Sequence, residues 1–271
     1  MIGRLIADTA PGTHPTISIC GGGGFLCTYD LDTLISAAIA IVVTLAVGLI
    51  LVRTLRSGKP GRLQMVFELF LGYVQNLIRE TVGEDAPVFL LPLAATIGFF
   101  ILVANWLDFF PLQQPVEPAN ADLNLPLAMG LVVFILSQAY SLRVRGLGGW
   151  LLHFTKPQEM PIIVRVLFVP LNIIEEVVKP ITLALRLFGN VFAGVVMVYL
   201  LGSLFEALVG GSAVTAAISP LAIIAMAVWK LFDVLFIGTI QAFIFMLLTV
   251  IYFGQAREGV PEEGREARSP A

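Results

Sequence analysis

Residues 181–208 read ITLALRLFGNVFAGVVMVYLLGSLFEAL. No proline interrupts the run, and the helical pattern extends back through Pro180 toward Leu171. At about 1.5 Å per residue such a helix exceeds roughly 40 Å, against about 30 Å of hydrocarbon in a bilayer. Its ends stay apolar, which favours a steep tilt over protrusion into water. Residues 221–253 give the same picture, again without proline and with Gly238 as the one glycine before Phe253. Two long, unbroken, tilted helices offer an extended flank to a partner. Arg186 sits in the middle of the first, where a guanidinium costs several kcal/mol.

The rest of the chain agrees with a lipid setting. Of 271 residues, 58% are hydrophobic and 13% charged. A soluble globular domain carries about 25% charged residues. The net charge of -3, without a basic cluster, argues against a nucleic-acid partner. Apolar runs long enough to cross are Leu31–Val52, Pro87–Phe110, Leu125–Leu142, roughly Val166–Leu208, and Pro220–Phe253. Between them, Arg62–Thr81 places Leu63, Phe67, Phe70, Val74, Leu77 and Ile78 at helical spacing opposite Gln64, Glu68, Gln75 and Arg79. That is an amphipathic helix on a membrane surface or against another subunit.

Loop charges orient the chain. Arg53, Arg56, Lys59 and Arg62 follow the first span, and Arg143, Arg145 and Lys156 follow the third. The second–third connection holds Glu117 and Asp122 and no cation, and Val209–Ser219 holds no charge. The positive-inside rule puts the N-terminus outside and the C-terminus in the cytoplasm. The expected fold is therefore an all-α integral membrane protein. It has five membrane-spanning helices, one amphipathic helix on the cytoplasmic surface, and a last pair that is long and strongly tilted. Residues 1–30 form an external N-terminal segment, 31–255 the membrane domain and 256–271 a polar cytoplasmic tail. The first 30 residues lack the apolar core of a signal peptide. Cys20 and Cys27 flank four glycines; they are either two incidental thiols or a short external disulfide, and not a metal site.

Polar residues on the two long helices form stripes. At about 100° per residue, Glu175, Lys179, Thr182, Arg186 and Asn190 fall within an arc of about 80°, and Ala193 and Met197 continue it. Lys230, Asp233, Gln241 and Tyr252 share an arc of about 100° on the last helix. A guanidinium stays protonated at any reachable pH, so Arg186 cannot relay a proton. It can bar passing cations, and it can lower the pKa of a carboxylate brought beside it. A moving carboxylate would lose its proton on arrival and regain one after leaving. The acids of this chain lie toward span ends, so that carboxylate belongs to another chain.

The segment PITLALRLFGNVFAG, residues 180–194, resembles the signature of the ATP synthase subunit a family, as does IQAFIFMLLTVIYF, residues 240–253. PANADLNLPLAM, residues 118–129, is similar to that family's external loop. The resemblance runs from about Leu63 to Phe253. It implies a bacterial cell-membrane protein, the ion-conducting and non-catalytic stator of an F-type ATP synthase, needing no cofactor. The implied partners are the ring of c subunits, b-type peripheral stalk subunits and the rest of the synthase. Arg186 matches the family's essential arginine, with Asn190 and Gln241 matching polar residues near it. Thr182 matches a small hydroxyl position, and Glu175 or Glu176 an acidic position at the cytoplasmic end. Two aqueous half-channels ending on opposite sides of Arg186 are implied, with protons as the ion.

Two positions depart from the family's pattern. Val195 stands where some members have an ionisable residue, five beyond the asparagine. Val234 stands where others place His or Glu, seven before the glutamine. Asp233 lies eight before, which turns it about 80° away from Gln241 on a regular helix. Asp233 is expected in the outer half-channel, against the alternative of a plain i,i+3 pair with Lys230. Glu175 is weighed the same way against an i,i+4 pair with Lys179. Asp108 and Asp122 are outer-entrance candidates, Asn105 is open, and His14 and His153 have no assigned role. A transporter binding a small anion at Arg186 would show inverted repeats and broken helices. A membrane enzyme would need a nucleophile with its base, or metal ligands; there is no HExxH, and both histidines lie in tails or loops.

Overall fold

In the computed structural model the described residues are 16–18, 28–55, 61–84, 86–109, 123–153, 155 and 162–257. Cys20, Cys27, His14, Glu117, Asp122 and the tail beyond Arg257 lie outside them. Two short strands, β1 (Thr16–Ser18) and β2 (Thr28–Asp30), pair antiparallel in the N-terminal segment. All other regular structure is helical: α1 (Leu31–Thr54), α2 (Arg62–Thr81), α3 (Leu90–Leu107), α4 (Asn124–His153), α5 (Ile162–Val209), α6 (Ala213–Phe232) and α7 (Gly238–Arg257). Among the described residues, five stretches are long and apolar enough to cross a bilayer: Leu34–Thr54, Leu90–Leu107, Asn124–Leu152, Leu167–Val209 and Ala217–Arg257.

Two of these differ from the sequence reading, and α5 extends it by a few residues. First, α4 continues well past Leu142, through Arg143 and Arg145, so His153 ends a helix instead of lying in a loop. Its geometry breaks at Gly146, whose φ of 71° and ψ of 171° suit only glycine. The break folds the chain back: Trp150 Nε1 donates to Gln138 Oε1 at 2.9 Å. On a straight helix those residues would lie roughly 18 Å apart. Helix α5 is 48 residues long and carries both Pro170 and Pro180 inside it. Each proline removes one rung of the hydrogen-bond ladder without ending the helix.

Second, the expected unbroken last helix is not regular. Between α6 and α7, Asp233–Ile237 form a π-helical turn, in which the Gly238 N–H donates to the Asp233 carbonyl. Such turns absorb one extra residue into a helix. Hydropathy and a 3.6-residue period carry no signal for it.

The chain packs as two compact units. One comprises Met1–Gly61, Gly98–Leu125 and Leu187–Phe243, and the other Arg62–Ile97, Pro126–Arg186 and Ile244–Ala271. In the second unit, Val74 and Ile78 of α2, Leu90 and Ala94 of α3, and Met246, Val250 and Phe253 of α7 form a buried apolar core. Phe89, Tyr140 and Phe253 add edge and tilted ring contacts at 5.6–6.4 Å. Gly130 permits close approach of α4 to α5, since a Cβ there would sit 2.9 Å from the Pro180 carbonyl oxygen. On α2 the buried apolar residues, Val74 and Ile78, lie in the C-terminal half, Gln64 is buried near the start, and Leu63, Val66 and Leu69 remain exposed. An exposed apolar edge on a helix with a polar opposite face suits a bilayer surface.

Candidate ion-translocation site

Two polar clusters form, one inside each unit. In the first unit a cavity gathers Asn105 and Asp108 from the end of α3, Asn190 from α5, Asp233 from the π-helical turn and Gln241 from α7. Leu187 and Val191 supply apolar wall. Asn105 Nδ2 donates to the Gly238 carbonyl at 3.0 Å, and Trp106 Nε1 to Thr239 Oγ1 at 3.3 Å, which fixes α3 against the start of α7. Gly238 makes this approach possible: a Cβ there would meet Asn105 Cβ at 3.0 Å.

Asp233 is buried at 7% exposure. Its carboxylate sits against Gly194 of α5, where even an added Cβ would require that carboxylate to shift. The π-helical turn also resolves the register problem at this residue. Eight residues of regular helix leave about 80° between Asp233 and Gln241; the extra residue absorbed by the turn takes roughly 100° back, leaving about 20°. Both therefore line one cavity.

The i,i+3 pair weighed for Asp233 is absent. Lys230 Nζ instead lies 2.6 Å from Asp108 Oδ2, with both side chains largely sheltered. Asp108 stands one residue beyond the apolar stretch that ends at Leu107. Burial holds its carboxyl above its ordinary value, and the hydrogen bond and charge of Lys230 offset that only in part.

The second cluster lies where α4, α5 and the end of α7 meet. Lys179 Nζ is 2.5 Å from Glu176 Oε1 and 3.1 Å from Gln255 Oε1. Gln138 Nε2 donates to Glu176 Oε2 at 2.7 Å. These groups and Tyr252 line a second cavity. Arg145 closes the end of α7, donating from Nε to the Ala256 carbonyl at 2.9 Å and from its terminal nitrogen to the Gln255 carbonyl at 2.6 Å. A cation on the final carbonyls suits a helix C-terminus.

Arg186 belongs to neither cluster. It is exposed, and among the described residues it forms no salt bridge. Thr182, one turn earlier, is exposed as well and donates its hydroxyl to the Lys179 carbonyl at 3.0 Å. Leu185, Phe192, Val196 and Tyr199 are exposed around them. Glu175 is exposed, whereas Glu176 turns inward and takes the lysine. Of the residues singled out in the sequence, Asp108, Asn190, Asp233 and Gln241 therefore come together, Glu176 joins the second cluster, and Glu175, Thr182 and Arg186 lie on an outer face. Gln138 and Gln255 were not singled out in the sequence, and Asn105 was left open. Each is an amide within or at the end of an apolar stretch, which was the available signal.

The sequence pattern of the family described as ATP synthase A chain matches residues 34–254. That range takes in α1, which the motifs of the sequence alone did not reach. The chain is 38% identical to ATP synthase subunit a of Acidothermus cellulolyticus over 93% of its own length and 84% of the relative's. It is 37% identical to ATP synthase subunit a of Mycobacterium ulcerans, covering 94% of this chain and 96% of that one. Against ATP synthase subunit a 1 of Photobacterium profundum the identity is 32%, over 94% and 97%. With five apolar helices and likeness along nearly its whole length, the chain is a multi-pass membrane protein that belongs to the ATP synthase A chain family.

Proposed function

We propose that the chain is the proton-conducting, non-catalytic stator of an F-type ATP synthase, and that Arg186 divides its proton path in two. The observation that carries this reading is the placement of charge along α5. Arg186 lies on an exposed, largely apolar face without an ion pair among the described residues. On the same helix, Asn190 lines a cavity with Asp108, Asp233 and Gln241, and Glu176 lines another with Lys179 and Gln138.

A permanently charged group on an apolar face needs an anionic partner supplied from outside. The ring of c subunits, bearing a carboxylate in mid-membrane, is that partner. Protons enter through the cavity of Asp108, Asp233, Asn190 and Gln241. They pass to the ring carboxylate and ride nearly a full turn. They leave on the side of Glu175 and Glu176. Thr182 helps hydrate the guanidinium. The exposed apolar residues around Arg186 slide against the ring, and b-type peripheral stalk subunits hold the chain still. The loops rich in Lys and Arg support a cytoplasmic C-terminus for this cell-membrane protein, with α2 on that side.

The reading is tested by cross-linking. With cysteine at Ala193, an exposed α5 position near Arg186, and a second on the outward helix of a ring subunit, oxidation of membranes should yield a disulfide-linked pair on a non-reducing gel. Complete absence of that product at every ring position would show that this face does not meet a ring.

A further inference from the structure

The path just proposed gives no role to Lys230. Proton conduction gains nothing from a lysine as such, and burying one is costly. Lys230 sits one turn before Asp233 along the chain, a spacing at which the two could pair. Its ammonium is instead held by Asp108 at 2.6 Å, from the end of α3. The wall that α5 presents to Asp233 carries Asn190 and Gly194, and α7 contributes Gln241, none of them ionisable. The charges acting on Asp233 are thus Lys230 and Asp108, one of each sign.

Two carboxylates on one small cavity cannot both ionise freely; without a cation they share a proton and titrate as a pair. A cation fixed on one of them removes that coupling. We infer that Lys230 is a positioning residue for proton uptake: it keeps Asp108 as a paired anion and so leaves Asp233 as the single carboxylate of the cavity that gains and loses a proton. This inference rests on the reading that Asp233 carries protons along the outer path. The step itself is a plain transfer. A proton from outer water binds a carboxylate oxygen of Asp233 and leaves it for the ring carboxylate, while Lys230 stays an ammonium and Asp108 a carboxylate throughout. Since burial already pushes the Asp108 carboxyl upward, loss of Lys230 would let Asp108 take up a proton and compete.

The signs of two substitutions separate this role from a structural tie. Removing the cation favours protonated carboxyls, so Lys230→Gln should move the half-maximal outer pH of proton-driven ATP synthesis upward, by about one unit. Asp108→Asn frees the ammonium to act on Asp233, which favours its ionised form, so the midpoint should move downward. The double variant should return close to the unmodified protein, and the charge-preserving Lys230→Arg should stay there. The measurement uses inverted membrane vesicles containing the whole synthase. Their lumen corresponds to the outer face, and lumen pH is stepped before an acid–base jump at constant external pH.

Midpoints that stay in place in both single variants, or move in the same direction, would overturn the inference. Should Lys230→Gln fail to assemble, Asp108→Asn and the double variant carry the same sign test. Asp233→Asn, run alongside, distinguishes the two failures. If it conducts normally, the outer-path reading itself is wrong. If it does not conduct while the Lys230 and Asp108 variants keep their midpoints, only the role of Lys230 is lost.

Discussion

Membrane vesicles carrying Arg186→Ala are expected to show no ATP-driven proton pumping, with ATP hydrolysis still measurable. A fixed cation about 4 Å from a carboxylate at an effective dielectric of about 20 favours the ionised form by about 4 kcal/mol, or about three orders of magnitude in proton affinity. On the proposed reading, its loss leaves the ring carboxylate no reason to discharge at the right place and leaves the proton path without its positive barrier. Lysine is a poor substitute, because an ammonium in an apolar setting can lose its proton and lacks the planar fork of a guanidinium. Arg186→Lys should therefore also fall well below the unmodified protein. Normal pumping by the alanine variant would defeat the barrier argument. The exposure of Arg186 makes this a clean test, since no internal ion pair among the described residues is broken by its removal.

The second large effect is expected at Asp233. Asparagine has nearly the same shape, so Asp233→Asn leaves the close packing on Gly194 in place and removes only the ability to bind and release a proton. Positioned acid–base groups contribute on the order of a hundredfold or more to proton transfer. Proton flux, read as the initial rate of dye quenching in vesicles, should drop at least about tenfold, with water carrying what remains. Flux equal to that of the unmodified protein would return Asp233 to a packing role.

The contrast between Asp233 and its neighbours shows what the sequence could and could not reveal. Long apolar runs and the Lys/Arg-rich loops made the five spans legible, and α2 was placed at Arg62–Thr81 without error. These signals survive because hydrophobicity acts on whole segments. The end of α4 was missed because its continuation, through Arg143 and Arg145, is polar, and the break at Gly146 looks like any loop glycine. The register of Asp233 to Gln241 was misread because a regular period was assumed across a π-helical turn.

Pairings were harder to read than spans. Lys179 had acids available at i−3 and i−4, which are nearly equivalent on a helix. What decides for Glu176 is Gln138, a donor from α4 that no local reading supplies. Lys230 similarly leaves the nearest acid along the chain for Asp108, 122 residues away in sequence. Arg186, Asn190 and Gln241 were legible for a different reason: a charge or amide in an apolar run is conspicuous before any contact is known.

The most direct test is an experimental structure of the assembled membrane sector, with the distance from the Arg186 guanidinium to the nearest ring carboxylate as its readout. The account predicts that Arg186 faces the ring, within about 4–6 Å of a carboxylate directly or through water, and carries no ion pair to its own chain. A guanidinium tied to an acid of this subunit and turned away from the ring would contradict it.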